Sequence, residues 1–372
     1  MHVKTLPAAM PSLNMFSSAP AQKGPTTPML YSGLSSEEKA RRAVKFAFAT
    51  HAATFAETYA VHRIVGIGAN GVVLAAQDLT NNNNAVAIKI IYKSRVSATN
   101  LSHPELEAYK HLAGCDYSKH LLQLLDDWQD SHHIYLVTEL YGFNWAAHGS
   151  LKQQLQPLTI TFTVQNDTVH TRTLDFYAGS SDLWAYRDHL TNTRGECTVP
   201  LFQIKEIIKQ TALGLQYAHN HGYYHGDVKA ENILLASNGC PGVKIADLGS
   251  CKHISTGLRH YGTVEVTPPE LLDDAPFHAA ELDGRDADMF ALGLVLYTLL
   301  HEKGELPEIM AKVRDHAVGY KMLLQSNGGL LPLGDTSRFD RDALHLLRGM
   351  TEVEPAMRMS VAQVLAHRFL QD

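Results

Sequence analysis

The sequence predicts an α+β protein in which a small β-rich part precedes a larger helical part. From Tyr59 to Tyr92, short runs of β-branched and apolar residues alternate with polar residues, as strands do. After about residue 180, apolar residues recur at helical spacing over long segments. The chain has 372 residues, of which 45% are hydrophobic and 19% are charged. These proportions are typical of a globular protein and exclude disordered, collagen-like and membrane-spanning classes.

Charge and cysteine content narrow the function classes further. Lysine and arginine number 32 against 38 aspartates and glutamates, so the net charge is −6 and the pI is near 6.4. We therefore expect no nucleic-acid and no membrane partner. The most apolar run, Phe290–Leu300, is shorter than the ~20 residues of a membrane span. The 4 cysteines show no CxxC spacing, which favours a reducing compartment, the cytoplasm or the nucleus. The oligomeric state is left open.

The elements follow in order along the chain. Residues 1–34 are rich in proline and serine and are expected to be disordered. Ser35 and Glu38 form a predicted capping box, which begins a helical extension over residues 35–58. Strands follow from Tyr59, with a turn at Asn81–Asn84 and a further strand at His133–Leu140.

The second half of the chain is predicted to be mainly helical. Helices are expected after Pro200, from Asp288 and from Ser360. One β-rich segment interrupts this pattern, since Leu158–Leu174 alternates on both sides of Asn166-Asp167. We interpret it as an inserted surface hairpin, within about 143–180, that has no catalytic role.

A glycine-rich segment contains Gly66, Gly68 and Gly71 and lies between two predicted strands. Glycines let backbone N–H groups approach phosphate oxygens closely. The same spacing occurs in dinucleotide-binding proteins, but there a helix follows the glycines directly. Here a strand follows, so the segment is predicted to be a hairpin loop that covers a nucleotide.

A lysine on the next strand, Lys89, is the second candidate. Such a lysine often points to solvent from an edge strand, but its place after the glycine hairpin suits a cation that reaches nucleotide phosphates. It then needs a carboxylate to orient it, and Glu105 and Glu107 are available on the following helix. We favour Glu105, because it precedes the apolar stripe that includes Tyr109, and we keep Glu107 as the alternative.

Polar residues cluster a third time between a helix and the strand Ile233–Leu235. Asp227 is suited to accept a hydroxyl proton, Lys229 to stabilise a transferring phosphoryl group, and Asn232 to ligate a hard metal ion. Asp247, at the end of a further strand, would complete the oxygen ligands of Mg²⁺.

These motifs, in this order, resemble those of the eukaryotic protein kinase family, from about Tyr59 to the C-terminus. The resemblance implies a bilobal fold over residues 59–370, with a β-rich lobe at 59–138 and a helical lobe at 142–370. It implies ATP and Mg²⁺ as cofactors and protein substrates with serine or threonine acceptors. It also implies metal ligation by Asn232 and Asp247, and phosphate binding by Lys89 held by Glu105. The remaining residues that it assigns to the nucleotide are Val65, Gly66, Gly68, Gly71, Val73, Ala87, Leu234, Thr138 as gatekeeper, and Glu139 and Tyr141 as hinge.

The family pattern has further matches and departures. Arg358 is similar to the arginine that pairs with the glutamate of the APE motif, here Glu270. Thr263 matches the threonine of serine/threonine members, and Glu231 matches a carboxylate that selects basic residues before the acceptor. Gly226 replaces the arginine that receives an activation-loop phosphate, so we expect activity without such a phosphate.

Two other functions remain open from the sequence. His-Gly-Asp, as at Asp227, also occurs in small-molecule phosphotransferases, although Lys229 and the Gly262-Thr263 loop resemble protein kinases. A nucleotide-binding scaffold that transfers no phosphate is the second alternative. Phosphate-transfer and ATP-affinity measurements separate these functions.

Overall fold

The computed structural model describes residues 30–93, 103–113, 117–142, 154–164, 167–177, 181–194, 199–236, 242–258, 260–272, 282–311, 327 and 330–371. The strands are β1 (Tyr59–Ile67), β2 (Gly71–Asp78), β3 (Asn84–Tyr92), β4 (Leu124–Gln129), β5 (His133–Glu139), β6 (Gln154–Thr163), β7 (Val169–Tyr177), β8 (Tyr223–Tyr224), β9 (Ile233–Leu235), β10 (Val243–Ile245) and β11 (Lys252–His253). The helices are α1 (Ser36–Thr50), α2 (Pro104–Ala113), α3 (Leu183–Arg194), α4 (Leu201–Asn220), α5 (Gly284–Leu300), α6 (Glu308–Ala311), α7 (Arg341–Met350) and α8 (Val361–Leu365). The division into a β-rich lobe and a helical lobe is confirmed.

The smaller lobe is built on a 7-stranded sheet in the order β4-β5-β3-β2-β1-β7-β6. The strands from β1 to β5 pair antiparallel. The predicted asparagine turn joins β2 to β3, and Asn82 and Asn83 have φ angles of 53° and 56°. Asparagine tolerates this left-handed backbone better than most residues do, so the turn residues fix the register of the hairpin.

The inserted hairpin β6-β7 belongs to this sheet rather than lying apart on the surface. Strand β7 runs parallel to β1, and Arg63 pairs with Asp175. The apolar residues of the alternating pattern point inward and are buried, as at Ile160 and Phe162, whereas Thr159 and Thr161 face outward. The hairpin therefore follows the hinge in sequence but extends the sheet of the smaller lobe. Residues 143–153, 165, 166 and 178–180 of the insertion lie outside the described residues.

Helix α1 covers one face of the sheet, as its apolar stripe predicts. The capping box is confirmed, because the Ser35 side chain accepts from the Glu38 N–H and the Glu38 side chain accepts from the Ser35 N–H. Phe48 is fully buried, stacks on Phe55 at 4.4 Å between ring centroids, and contacts the edge of Phe162 in the inserted hairpin. The extension is not one continuous helix to residue 58, since α1 ends at Thr50 and a π-helical turn spans Thr54–Thr58.

The expected disordered tail ends earlier than residue 34. Tyr31 is buried, stacks on Tyr92 at 4.6 Å between ring centroids, and hydrogen-bonds to the buried His133. An aromatic ring with these contacts fixes the chain just before α1. The remainder of the tail, residues 1–29, lies outside the described residues.

The larger lobe has α5 at its centre, and α4 and α7 pack against it. Nearly every side chain of α5 is buried, which explains why its sequence is apolar on all sides. The predicted pair of Arg358 with Glu270 is confirmed, with two parallel hydrogen bonds of 2.7 and 2.9 Å. None of the described helices has the length and hydropathy needed to cross a membrane.

We expect Phe48→Ala to destabilise the protein by about 3 to 5 kcal/mol, because it leaves a cavity between α1, Phe55 and the inserted hairpin. Phe202→Ala is the matched control, since Phe202 is 56% exposed and should change stability by about 0.5 kcal/mol or less. Urea unfolding of both variants measures the difference. Equal losses in the two variants would contradict this account of the packing.

Candidate active site

Lys89 is the centre of an ionic cluster between the lobes. Its Nζ lies 2.7 and 2.9 Å from the two carboxylate oxygens of Glu105 on α2, and 2.8 Å from Oδ1 of Asp247. Glu105 is buried, whereas Glu107 is exposed, so the favoured partner is the one that the structure brings to Lys89. Burial would lower the pKa of Lys89, but the two carboxylates raise it, so the ammonium stays charged.

The glycine hairpin closes tightly next to this cluster. The Gly68 N–H donates to the Gly71 carbonyl at 2.9 Å, which makes a narrow turn between β1 and β2. A Cβ at Gly71 would lie 2.6 Å from the Ile90 carbonyl oxygen, so the close approach of β2 to β3 requires glycine there. At Gly66 a Cβ would meet Val73 at an ordinary 3.6 Å. Packing thus explains Gly71, but it does not require glycine at Gly66.

The predicted adenine-site residues share one face of the sheet. Val73 is directly opposite Lys89 in the register of β2 and β3, and Ala87 is opposite Thr138 in that of β3 and β5. Cross-strand partners point to the same face, and so do residues two apart along a strand. Val73, Ala87 and Thr138 therefore face the cleft with Lys89. Val65 is half-buried on β1 beside a shift of its register with β2.

The side chains of the predicted hinge residues Glu139 and Tyr141 contact Lys244 of β10. The Glu139 carboxylate accepts from Lys244 Nζ at 2.5 Å and from the Gln123 N–H at 2.9 Å. The ring of Tyr141 lies 5.2 Å from the Lys244 ammonium. What the segment offers to a ligand is therefore its backbone.

Asp227, Lys229 and Asn232 come together in the segment 225–232, which corresponds to the catalytic loop of the family pattern and takes that name. Lys229 Nζ lies 2.9 Å from Asp227 Oδ2 and 2.7 Å from the Thr263 hydroxyl, which itself donates to Asp227 Oδ1 at 2.6 Å. The Asn232 side-chain N–H donates to the Asp227 carbonyl at 2.8 Å. Asp227 is thus oriented by a cation and a hydroxyl.

Asn232 and Asp247 are placed to share a cation. The Ala246 N–H donates to the Asn232 carbonyl at 2.9 Å, which joins the two loops next to both side chains. The Asn232 amide nitrogen donates to Asp227, so the amide oxygen is the side-chain atom that can ligate a cation. The described hydrogen bonds of Asp247 use Oδ1. Burial opposes ionisation, but Lys89 lowers the pKa of Asp247 to about 2, so the carboxylate is ionised. This oxygen donor set fits Mg²⁺.

The backbone at Asp247 is itself unusual. Its φ is 62° and its ψ is 77°, in the left-handed region that costs energy for a residue with a side chain. The conformation lets the carboxylate accept from the Gly249 N–H at 3.2 Å while it faces Lys89. Such strain at a charged cleft residue is typical of a functional site.

Two carboxylates near the cleft were given no site role by the sequence. Asp288 at the start of α5 is fully buried and accepts from the N–H groups of His225 and Gly226. Asp182 caps α3, where Oδ1 accepts from the Ala185 N–H at 2.7 Å, and it bridges to Leu234 of β9 at the cleft wall. A polar residue just before an apolar-periodic segment is a helix-start signal that would have found Asp182.

A cavity of about 640 Å³ opens beside Lys229 and Thr263. Carboxylates of Glu231, Glu265 and Glu305 line it, and Trp184, which is 50% exposed, forms part of one wall. Cys251 lies in the core of the larger lobe. Burial raises the pKa of its thiol, which is the environment of an unreactive cysteine.

Comparison with known proteins identifies the family of the chain. The family model described as protein kinase domain matches residues 59–370, so the chain belongs to the protein kinase family. It is 26% identical over 328 residues to serine/threonine-protein kinase PLK4 of Drosophila virilis, covering 87% of this chain and 34% of that protein. It is 25% identical over 324 residues to Aurora kinase C of Mus musculus, covering 84% of this chain and 92% of that protein. The chain thus spans about a third of the PLK4 relative and most of the Aurora relative.

We expect the stability of Asp182→Asn to depend less on pH than that of the wild type. Burial raises the pKa of Asp182 to about 7 from its ordinary 3.8, so its contribution to stability is present below the ordinary pKa and is lost as pH rises through 7. Asparagine keeps the cap but does not ionise. Between about pH 5 and pH 8 the variant should gain about 2 kcal/mol relative to the wild type.

Asp283→Asn is the matched control, because Asp283 also caps a helix through a neighbouring N–H. Although burial opposes it, the Arg285 guanidinium lowers the pKa of Asp283, so its contribution is fully present over this pH range. Its stability difference from the wild type should be constant. Urea unfolding at both pH values measures the two differences, and a constant difference for Asp182→Asn would contradict the raised pKa.

Proposed function

We propose that this protein is an ATP-dependent serine/threonine protein kinase that transfers the γ-phosphoryl group of Mg-ATP to a protein hydroxyl. The observation that carries the proposal is the pairing of two polar sets across one cleft. Lys89, Glu105 and Asp247 form the first set, and Asp227 and Lys229 belong to the second. The first set suits phosphates and a cation, and the second suits an acceptor hydroxyl.

Each residue has a task in this mechanism. The glycine turn covers the phosphates with its backbone, and Lys89, held by Glu105, binds the α- and β-phosphates. Bound Mg²⁺, ligated by Asn232 and Asp247, would neutralise phosphate charge. Asp227 orients the acceptor hydroxyl and takes its proton, while Lys229 offsets the negative charge of the transferring group. Positioning and electrostatics supply most of the rate, as expected for phosphoryl transfer.

A scaffold that transfers no phosphate is the weaker candidate. A scaffold needs no general base next to a second lysine, yet Asp227, Lys229 and Thr263 form a closed hydrogen-bonded set. A small-molecule phosphotransferase is also disfavoured, because the cavity beside Lys229 is lined by the half-exposed Trp184 and by carboxylates, which suit a basic peptide.

We expect Asp227→Asn and Lys89→Met to lower the rate of phosphate transfer by about three orders of magnitude. Asp227→Asn should still bind Mg-ATP, because Asn232 and Asp247 are unchanged. Lys89→Met should bind it more weakly, since the cation is lost. Burial raises the pKa of Glu105, and without Lys89 no neighbouring cation opposes that rise. Transfer to a generic substrate and ATP affinity are measured for both.

Lys110→Met and Asp127→Asn are matched controls, since these residues form an exposed ion pair at 2.9 Å outside the cleft. Both should keep wild-type activity. Wild-type protein that binds Mg-ATP but transfers no phosphate to any substrate would favour the scaffold function instead.

For the acceptor, we expect serine or threonine with a basic residue before it. The short distance from Thr263 to Asp227 and Lys229 suits a short hydroxyl side chain. Glu231 is exposed on the cavity wall, so an ion pair there would favour basic residues by about 1 kcal/mol. A positional peptide library tests both points, with Glu231→Ala as the variant and Glu57→Ala, also exposed, as its control. Selection of tyrosine, or of acidic or proline-flanked peptides, would contradict the expectation.

We also expect activity without phosphate on the activation segment, residues 247–270. Gly226 has no side chain to bind such a phosphate, and Ser255 and Thr256 are exposed while Tyr261 is buried. Phosphatase treatment should leave the rate nearly unchanged. A tenfold loss, which corresponds to about 1.4 kcal/mol of barrier, would show that a phosphate is needed.

A further inference from the structure

The activation segment touches the catalytic loop at two glycines. The Gly262 N–H donates to the Gly226 carbonyl at 2.8 Å. Gly226 has a φ of 76°, and a Cβ there would lie 2.6 Å from the Ser250 carbonyl oxygen. A Cβ at Gly262 would lie 2.7 Å from both Asp227 Cγ and Ser250 Oγ. The segment and the loop therefore approach each other more closely than a Cβ would allow, at Gly226 through the Ser250 backbone and at Gly262 through the Asp227 side chain.

Tyr261, next to Gly262, brings a hydroxyl into this contact. Its side chain is buried, and its hydroxyl donates to Asp288 Oδ1 at 3.0 Å while it accepts from the Val228 N–H at 3.0 Å. Burial raises the pKa of Tyr261 well above 10, so the hydroxyl keeps the proton that it donates. One group thus satisfies a buried amide of the catalytic loop and a buried carboxylate of α5.

The partners of Tyr261 lie at the reacting residues. Val228 stands between Asp227 and Lys229, so the position of its amide determines where both side chains emerge. Asp288 also accepts from the Gly226 N–H at 2.9 Å. The hydroxyl therefore joins the activation segment, the catalytic loop and α5 at one point.

We propose that Tyr261 is a positioning residue that fastens the activation segment to the catalytic loop without a phosphate. The proposal rests on the proposed kinase function. It assigns to the Tyr261 hydroxyl the task of holding the Val228 amide, and thereby Asp227 and Lys229, in place for the acceptor. In this state the hydroxyl is a structural group and not an acceptor of phosphate.

The test is Tyr261→Phe in the full chain, which keeps the buried ring and removes the bridge. We expect kcat to fall about tenfold, because the Val228 amide loses its partner and the reacting groups are misplaced. The KM for ATP should change by less than about twofold, because the residues around Lys89 are untouched. Tyr297→Phe is the control: Tyr297 is buried and donates to the Leu333 carbonyl at 2.9 Å, so it loses a comparable bond away from the site. It should keep the wild-type kcat.

A second measurement does not depend on activity. Amide hydrogen exchange over residues 224–232 should be faster in Tyr261→Phe than in wild type and unchanged in Tyr297→Phe. Wild-type protein that transfers no phosphate would overturn the proposed function, and the exchange result alone would then decide the role of Tyr261. Unchanged exchange in Tyr261→Phe overturns the proposal, as does an unchanged kcat in an active enzyme.

The glycine contact is tested separately. Gly226→Ala places a Cβ against the Ser250 carbonyl, whereas Gly334→Ala has a similar φ of 70° and open space around it. Both substitutions introduce the same kind of backbone strain. A difference in activity between the two variants therefore reports the contact between the activation segment and the catalytic loop. We expect Gly226→Ala to lose at least about tenfold more activity and to exchange faster over residues 224–232. Equal behaviour of the two variants overturns the close contact.

Discussion

The buried carboxylate of Asp288 is the group on which the arrangement of the catalytic loop depends. It is fully buried and accepts from the N–H groups of His225 and Gly226, from the Tyr261 hydroxyl and from His219 Nε2 at 2.7 to 3.0 Å. A buried carboxylate is costly unless its oxygens are satisfied, and here four donors satisfy them. Removing one donor leaves a buried charge less well compensated. The catalytic loop is therefore held by the core of the larger lobe, because α5 supplies this carboxylate.

The cluster around Lys89 has a different character. Asp288 is satisfied by fixed donors, whereas one ammonium group at Lys89 faces the two carboxylates of Glu105 and Asp247. This leaves an excess negative charge in a cleft where electrostatic interactions are stronger than in water. A divalent cation at Asp247 and Asn232 would offset that excess, while phosphates would be attracted to Lys89. The larger lobe thus supplies rigidity, and the junction of the lobes supplies charge that a ligand can balance.

The sequence predicted the candidate site better than it predicted how the smaller lobe is assembled. Asp227, Lys229 and Asn232 are polar groups at fixed spacing within one short segment, so local sequence alone places them near one another. Asp288 was missed as a ligand of the catalytic loop, because its donors lie far away in sequence and only the fold brings them to it. The left-handed backbone at Asp247 was not predicted either, because the local sequence does not specify a positive φ there.

The helical parts show a similar division. The helix after Pro200 was predicted from its periodic pattern, whereas α3 and α7 were not predicted, although polar caps at Asp182 and Asp340 mark their starts. The inserted hairpin was found from its alternation, but not its place in the sheet. Alternation shows that one face is apolar, and it does not show what covers that face.

The N-terminal helix and the inserted hairpin depend on each other. The ladder between β7 and β1 contains two residue pairs, which is too short to hold a hairpin by hydrogen bonds alone. The hairpin gains its other contacts beneath α1, where Phe48 meets Phe162 and Arg41 donates to the Gln156 carbonyl. Without the sheet, the apolar face of helix α1 would in turn be exposed to water. The smaller lobe is therefore completed by two elements that lie on either side of β1 to β5 in the chain, since α1 precedes β1 and the hairpin follows β5.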